Sequence, residues 1–555
     1  MQSRFRNKIY YLIVLFSILL FLGTGFRGDD DIYDRINRNM DIFGKIYKEI
    51  ALNYVDDIDV DKFMKEGIEG MMRTLDPFTV YYEMNGQNEI DLIVNGKYGG
   101  IGISVAFRDS SIYIANVMTG YEAQRKGLRI GDKIISVDGV DLRNAKPETV
   151  NKLVKGKEGT TLKMTIERDD SILDFDLTRQ EIILKNISYS GYIGDESEGI
   201  AYFKLDRFTN TSADEVESVL KTFKAKGNLK GLVIDLRDNG GGLLDAAVNM
   251  LNKLVPRNSL LLITKGKKKD SEIKYVSKED PLIPKDVPIA LLVNKGTASA
   301  SEILAGAIQD LDRGIIVGSQ TYGKGLVQIV KDIDNEAKLK ITTSRYYTPS
   351  GRWIQEKNYF KENKFGVFVD NESFTQTEFK TLGGRTVYAN GGITPDIVLN
   401  IEPESEIHNA LLSKDMFFKF SNNYLSNNPG IKIFKCTDAI FEEFKNFVNA
   451  NNFIYKSEAY KKVEDLKQLA GKKGYSAGFS QDIEKLSGDL NSEYLAEFDK
   501  AQDELKRSIE SEINLRIITE KEQIEALFPS DIQLQEALRI IKNAEEYKRI
   551  MSVGN

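Results

Sequence analysis

The sequence predicts a multidomain α/β protein, and three observations carry that expectation. From Glu198 to about Pro395, apolar strands alternate with amphipathic helical runs, the pattern of a sheet covered by helices. Ahead of it, Gly96 to Glu181 reads as a succession of short strands. Behind it, residues 400–555 turn helical, rich in Lys and Glu and poor in Gly. At 555 residues the chain exceeds what one hydrophobic core usually holds, so several domains are expected. The segments read are 1–28, 29–85, 86–185, 186–400 and 401–555.

The first segment carries Arg4, Arg6 and Lys8, then the apolar run Ile9 to Leu22, then Gly23-Thr24-Gly25. Basic, apolar, small is the order of an export signal. The run is short for a spanning helix, though counting to Phe26 makes it nearly long enough. A cleaved signal and a retained membrane anchor fit equally. In both cases the basic end stays in the cytosol and the rest is exported, to a periplasm or the outer face of the membrane. Residues 29–85 read as helices. Ile42, Ile46, Ile50 and Tyr54 are spaced by fours, Phe63, Ile68 and Met71 continue, and Leu75-Asp76-Pro77-Phe78 closes the segment at a proline.

Tyr98-Gly99-Gly100-Ile101-Gly102-Ile103 opens the next segment. Ile112-Tyr113-Ile114 and Lys133 to Val137 follow as strands, the second preceded by Ala123-x-x-x-Gly127-Leu128-x-x-Gly131-Asp132. The whole order resembles a PDZ domain of the bacterial protease type. A glycine-rich turn there offers backbone N–H groups to a terminal carboxylate, and a peptide adds to the sheet edge beside it. The resemblance makes Gly99, Gly100, Ile101, Gly102 and Ile103 the peptide-binding residues, with an apolar pocket near Ile101 and Ile103. That type usually has Ser-Pro where this chain has Gly120-Tyr121.

In the α/β segment, Ile200 to Phe203 is a strand, and Ala213 to Lys226 is a helix with Val216, Val219, Leu220 and Phe223 on one face. Leu232-Val233-Ile234 is a buried strand that ends in Asp235-Leu236-Arg237-Asp238-Asn239-Gly240-Gly241-Gly242. A glycine-rich turn after a strand exposes backbone N–H groups. After the strand Ile289 to Val293 comes GTASASEILAGAIQDLDRGIIVGSQTYGKGLVQ, Gly296 to Gln328. Ile303, Leu304, Ala307, Ile308 and Leu311 fall on one helical face. Ser299 stands at the mouth of that helix, among unpaired N–H groups and the positive end of the dipole. Those groups suit an oxyanion. A serine hydroxyl also needs an adjacent base. The one histidine, His408, lies far along in a different kind of sequence. A lysine neutralised by desolvation is the other choice, and Lys324 between Gly323 and Gly325 fits it. Taken alone, Ser299-x-x-Glu302 also fits a capping box, and Lys324 a solvated loop lysine. Gly318 to Lys324 matches the start of a P-loop, but Gly325 stands where Ser or Thr would bind magnesium, so nucleotide binding is rejected.

The runs T-A-S-A-S-E-I and G-x-x-T-Y-G-K-G-x-V-Q resemble those of the carboxy-terminal processing peptidases, the tail-specific serine proteases. The resemblance extends from Asp29 to Asp396, through Arg345-Tyr-Tyr-Thr-Pro-Ser-Gly-Arg-Trp-Ile-Gln355 and Gly392-Ile393-Thr394-Pro395-Asp396. It implies a Clp-protease/crotonase-like α/β core with Ser299 as nucleophile, Lys324 as general base and Gln328 positioning the lysine. Ser301 is the alternative nucleophile one register on. The family's oxyanion hole carries over to the N–H groups of Gly241 and Ala300, with Gly242 as neighbour. Asp235, Arg237 and Glu302 match polar residues that hold the site together. The family usually has Pro where Gly240 stands, and often His where Phe78 stands. Its N-terminal helices often serve dimerisation, so a homodimer and a simple packing module are both open.

Beyond residue 400, Leu495, Phe498, Leu505, Ile509, Ile513 and Ile517 repeat by threes, fours and sevens without a sustained heptad. Dimerisation, substrate shielding and scaffolding all fit that region. A net charge of −7 gives no support for nucleic-acid partners. With one His and one Cys, an intrachain disulfide and a His/Cys zinc site are excluded, and no metal or cofactor is expected. The expected partners are proteins or peptides with free C-termini, and the membrane through the N-terminal run. A catalytically silent PDZ scaffold is the alternative of another class, and an acyl-CoA hydratase-like enzyme the alternative chemistry on the same kind of core.

Overall fold

Four-residue spacing of apolar side chains builds the first described element, helix α1 (Asp30–Asn53). Asp59 accepts the Lys62 N–H and starts α2 (Val60–Met72). The two helices meet where Tyr47 and Phe63 stack with centroids 5.6 Å apart. Ile42, Ile46 and Tyr54 of the same spacing remain exposed. The Asp76 carboxylate accepts the Phe78 and Thr79 N–H groups, closing the helical segment at the proline turn as expected. The computed structural model describes residues 30–83, 87–108, 111–143, 145, 147–168, 171–268, 270–334, 337–357, 376–399, 404–451, 453 and 458–552. The basic and apolar run from Arg4 to Phe26 lies outside them, and no described helix is long and apolar enough to cross a membrane. Residues 1–81 form one unit and 82–555 a second.

In the second unit, β1 (Lys97–Gly100) leads to β2 (Ile103–Arg108), β3 (Ser111–Val117), helix α3 (Glu122–Lys126), β4 (Lys133–Val137), helix α4 (Pro147–Val154), β5 (Thr161–Arg168), β6 (Ser171–Thr178) and β7 (Gln180–Ile183). The antiparallel sheet runs β2-β3-β4-β5-β6, and β1 pairs with β7 apart from it. Alternate residues Ile112, Ile114, Ile134, Leu162, Met164 and Ile166 turn inward to one core, the period-2 pattern of a half-buried sheet. β2 is the end strand, so one of its edges is left open among the described residues, with α4 packed beside it.

The central sheet follows: β8 (Ile187–Tyr192), β9 (Ile200–Leu205), β10 (Gly231–Asp235), β11 (Ile289–Val293), β12 (Ile315–Gly318) and β15 (Ile397–Val398), in that spatial order. β8 is antiparallel and the others are parallel. The middle strands are continuous apolar runs because both faces are covered. One face, with Phe203, Leu232, Ile234, Ile289 and Leu291, packs on α5 (Ser212–Ala225), α6 (Leu244–Asn252) and α7 (Ala300–Asp310). The other, with Tyr202, Val233, Ala290, Leu292 and Val317, packs on Leu534, Ala537, Ile540 and Ile541 of α10 (Ile532–Lys542). The α/β body therefore draws on chain beyond residue 400. The hairpin β13 (Leu326–Asp332) and β14 (Ala337–Tyr347) belongs to a second sheet, in which β14 also pairs antiparallel with the strand Leu260–Gly266.

The C-terminal helices also build a core of their own. Phe498, together with Leu505, Ile509 and Ile513 of α9 (Gln502–Ile517), four of the residues singled out by spacing, packs there with Phe417, Phe420, Phe441 and Phe444. The Leu495 side chain lies outside the described residues. This helical body touches the β2–β6 domain: Phe418 of α8 (Met416–Asn427) lies under the Arg108 guanidinium at 4.2 Å and edge-on to Tyr113, and Arg108 pairs with Asp415.

Candidate active site

Parallel strands deliver their following loops to one edge of a sheet, and the loops after β10, β11 and β12 are neighbours for that reason. The loop after β10 is the glycine turn, the loop after β11 carries Ser299 into α7, and the loop after β12 carries Lys324 into β13. Ser299 takes φ +57° and ψ −115°, a conformation that costs energy for any residue with a Cβ. It is held there from both sides. Tyr346 donates its hydroxyl to the Ser299 carbonyl, and the Ser299 N–H donates to Oε2 of Glu302 at 2.8 Å.

Glu302 is fully buried and ties the site together. Its Oε2 accepts the N–H of Ser299 and, at 2.9 Å, the N–H of Lys324. Its Oε1 accepts the Gly323 N–H at 2.7 Å and the Thr321 hydroxyl at 2.5 Å. The serine and lysine loops thus converge on one oxygen atom. Burial pushes the Glu302 carboxyl up from the ordinary range, and the four donors pull the other way. The Glu302-to-Ser299 half of a capping box is therefore present, but its carboxylate serves the lysine loop as well.

Lys324 is half-buried. Its neighbours are glycines because the loop lies against the Arg345–Gln355 signature and the residue after it. A Cβ on Gly323 would come within 2.6 Å of the Glu356 Cβ, and one on Gly325 within 2.6 Å of Trp353 Nε1. Gln355 Oε1 accepts the Gly325 N–H and Trp353 donates to the Gly325 carbonyl, so the signature braces the lysine loop. Gln328 stands at a register shift in β13 and donates to the Thr342 hydroxyl at 3.1 Å.

On the other side, Gly241 reaches the Ser299 loop directly. A Cβ there would lie 2.9 Å from the Ser299 Cβ and 2.8 Å from the Ala300 nitrogen, at φ +93°. Among the described residues no hydrogen bond takes the Ala300 N–H. The Gly241 N–H, by contrast, donates to Asn239 Oδ1 at 2.9 Å. Gly241 and Ala300 are neighbours as expected, but only Ala300 presents an open donor in this conformation. Ser301, the alternative nucleophile, is fully buried and donates its hydroxyl to the Asn239 carbonyl. His408 is buried in the C-terminal helical body, 2.8 Å from the Ser508 hydroxyl, away from this cluster. Asp235 is buried, accepts from the Tyr202 hydroxyl, and grips Arg237 through both carboxylate oxygens. Spacing alone did not single out Thr321, Tyr346 and Asn239, although all three stand inside the motifs, Asn239 between Asp235 and Gly242, Thr321 just before Gly323, and Tyr346 in the Arg345–Gln355 signature.

At the glycine-rich turn read as the carboxylate site, Gly99 and Gly100 belong to β1, paired with Glu181 and Gln180 of β7. Ile101 is a correction to the expected apolar pocket: its side chain is fully buried in the domain core, so it lends only backbone to an open site. Ile103 is half-buried at the start of β2. Gly102, at φ +84°, lies against Tyr121, whose hydroxyl exchanges hydrogen bonds with both backbone groups of Ile183. The Tyr that replaces the usual Pro thus pins the turn to β7.

Residues 199–367 match the model of Peptidase family S41, 89–167 match PDZ domain, and 407–541 match "Probable PDZ-protease, C-terminal helical domain". A carboxy-terminal-processing protease of Bartonella bacilliformis is 34% identical over 321 residues, which cover 56% of this chain and 72% of that protein. The chain belongs to peptidase family S41. Within that family, the "Probable CtpA-like serine protease" of Staphylococcus aureus is 33% identical over 322 residues, 58% of this chain. The matched region spans 63% of the length of that relative. Among solved structures, the photosystem II D1 C-terminal processing protease is similar at 24% identity, covering 65% of this chain and 92% of that one, with a TM-score of 0.36. This S41 chain thus joins a PDZ domain, a protease core and a helical C-terminal domain.

Proposed function

We propose that this chain is an exported serine endopeptidase that cleaves proteins near their C-termini. Ser299 is the nucleophile, Lys324 the general base, and the PDZ domain reads the free C-terminus of the substrate. The observation that carries the reading is the shared carboxylate: one oxygen of Glu302 receives the backbone N–H of both Ser299 and Lys324. Names of relatives support the same class, a serine protease in Staphylococcus and a carboxy-terminal-processing protease in Bartonella. Export rests on the basic, apolar, small order of residues 4–25.

In the first step neutral Lys324 takes the Ser299 proton as Oγ bonds to the peptide carbonyl carbon. The carbonyl oxygen becomes an oxyanion facing the Ala300 N–H and the glycine turn. The second donor is the Gly241 N–H once Asn239 releases it. Lys324 then protonates the departing amine, leaving an acyl ester on Ser299. A water that gives its proton to the same lysine releases the acid. Gln328 holds the lysine loop at the start of β13. The open edge of β2 and the turn before it are where an extended C-terminal tail adds.

The test is peptide cleavage by four full-length proteins. Ser299→Ala and Lys324→Arg are expected to be inactive and folded, since arginine keeps its proton and cannot serve as a base. Wild-type activity is expected to rise with pH as the lysine loses its proton, and to be indifferent to chelators. Ser301→Ala is expected to retain the chemistry. Cleavage at the wild-type rate by Ser299→Ala would sink the reading, and loss confined to Ser301→Ala would move the nucleophile by two residues.

A further inference from the structure

The glycine turn is anchored at its base by Arg237, and half of that anchor comes from the far end of the chain. Arg237 Nη1 and Nη2 donate to the two oxygens of Asp531 at 2.9 and 2.6 Å, and Nη1 also donates to Gln533 Oε1 at 3.2 Å. The adjoining edge of the same guanidinium, Nε and Nη2, is gripped by Asp235, the last residue of β10. Asp531 is itself fixed, because it caps α10 by accepting the Leu534 N–H, and α10 is seated on the central sheet through Leu534, Ala537 and Ile540.

From Arg237 the chain runs on to Asn239, whose hydrogen bonds reach the serine loop. The Asn239 N–H donates to the Leu236 carbonyl, and Asn239 Nδ2 to the Leu205 carbonyl. The Asn239 carbonyl accepts the Ala298 N–H at 3.0 Å and the Ser301 hydroxyl at 2.9 Å, the residues that flank Ser299 and Ala300. Gly241, two residues on, touches Ser299. We propose that Asp531 is a positioning residue for catalysis, through which the C-terminal helical domain sets the glycine turn against Ser299. The proposal rests on Ser299 and this turn being the reacting centre. A fork-to-fork carboxylate pair fixes the plane of a guanidinium as well as its distance, so its loss frees the turn to tilt. Reacting groups tolerate displacements well under an ångström.

The same aspartate has a second duty as helix cap, and substitutions separate the two. Serine caps a helix about as well as aspartate but is too short to reach Arg237. In the full-length protein, Asp531→Ser is expected to stay folded with a lowered melting temperature and, assayed well below that temperature, to keep the wild-type KM while kcat falls roughly tenfold to a hundredfold. Asp531→Asn, which keeps the cap and the shape but places an amide donor against the guanidinium, is expected to fall similarly. In an Arg237→Ala background, Asp531→Ser is expected to add no further loss, because its route is already cut. Wild-type kcat in both Asp531→Ser and Asp531→Asn, beside an inactive Ser299→Ala, overturns this proposal and leaves the peptidase reading standing. Full additivity with Arg237→Ala overturns it too, since Asp531 would then act by another route. Activity in Ser299→Ala removes the peptidase reading and this proposal with it.

Discussion

Glu302 shows how one buried side chain can define a site without touching the reaction. Each of its oxygens accepts two donors, Thr321 and Gly323 on one, Ser299 and Lys324 on the other. In Glu302→Gln one oxygen becomes an amide donor, and whichever is lost, two buried donors then face a third. Each unsatisfied donor costs about 1–3 kcal/mol. We expect Glu302→Gln to lower the urea midpoint by the equivalent of a few kcal/mol and to remove most of kcat/KM. An unchanged midpoint together with wild-type turnover would contradict this account of the carboxylate. Arginine in place of Lys324 tests the proposed general base, since the backbone bond to Glu302 persists while a group able to lose its proton does not.

At the scale of elements, the site exists because three adjacent parallel strands end at one edge and each contributes one loop. The glycine turn is the tightest of the three. Gly241→Ala would bring a Cβ to 2.6 Å from the Ala298 carbonyl oxygen, at a φ of +93° that L side chains rarely adopt. The turn and the serine loop cannot both stay in place. We expect Gly241→Ala to lose turnover while still binding a C-terminal peptide at the PDZ domain, measured by fluorescence anisotropy. Retained turnover would show that the turn is not a wall of the site. Close packing also explains Gly323 and Gly325, which let the Lys324 loop lie against the segment carrying Trp353, Gln355 and Glu356.

For the whole molecule, the C-terminal helical domain holds both the core and the PDZ domain. It closes the second face of the central sheet, and it docks the PDZ domain through Phe418, Arg108 and Asp415. Leu534 is fully buried on that sheet face. Leu534→Ala is expected to cost about 2–5 kcal/mol, read as a lower denaturant midpoint for the protease core. A loss under a tenth of that would mean the helix is only loosely seated. Substrate choice also belongs to this scale, because the PDZ turn and the serine lie in different domains. A substrate with a free, apolar C-terminal residue is expected to be cut better than its amide. Losing a charge-assisted hydrogen-bond set costs about 1.5–3 kcal/mol, roughly tenfold to a hundredfold in affinity. Equal kcat/KM for acid and amide would remove tail recognition and leave the Ser-Lys chemistry untouched.

The residues of the site were legible because the chemistry is local in sequence. Ser299, Glu302 and Lys324 stand in short motifs, and the turn Asp235 to Gly242 follows a strand that is apolar without interruption. Periodicity also identified the strands, and the unbroken run Leu232-Val233-Ile234 already required cover on two faces. It did not say what supplies the second cover. That partner, α10, lies some three hundred residues on and looks like any amphipathic helix, since a hydrophobic face carries no address. The burial of Ile101 likewise follows from packing, as a strand-end isoleucine reads the same facing a pocket or a core. The state of the Gly241 N–H depends on where the Asn239 side chain points, and the Arg237 anchor on a carboxylate from another domain. Motif and period determined which groups and which elements this chain possesses. Long-range packing and hydrogen bonding decided which of them meet.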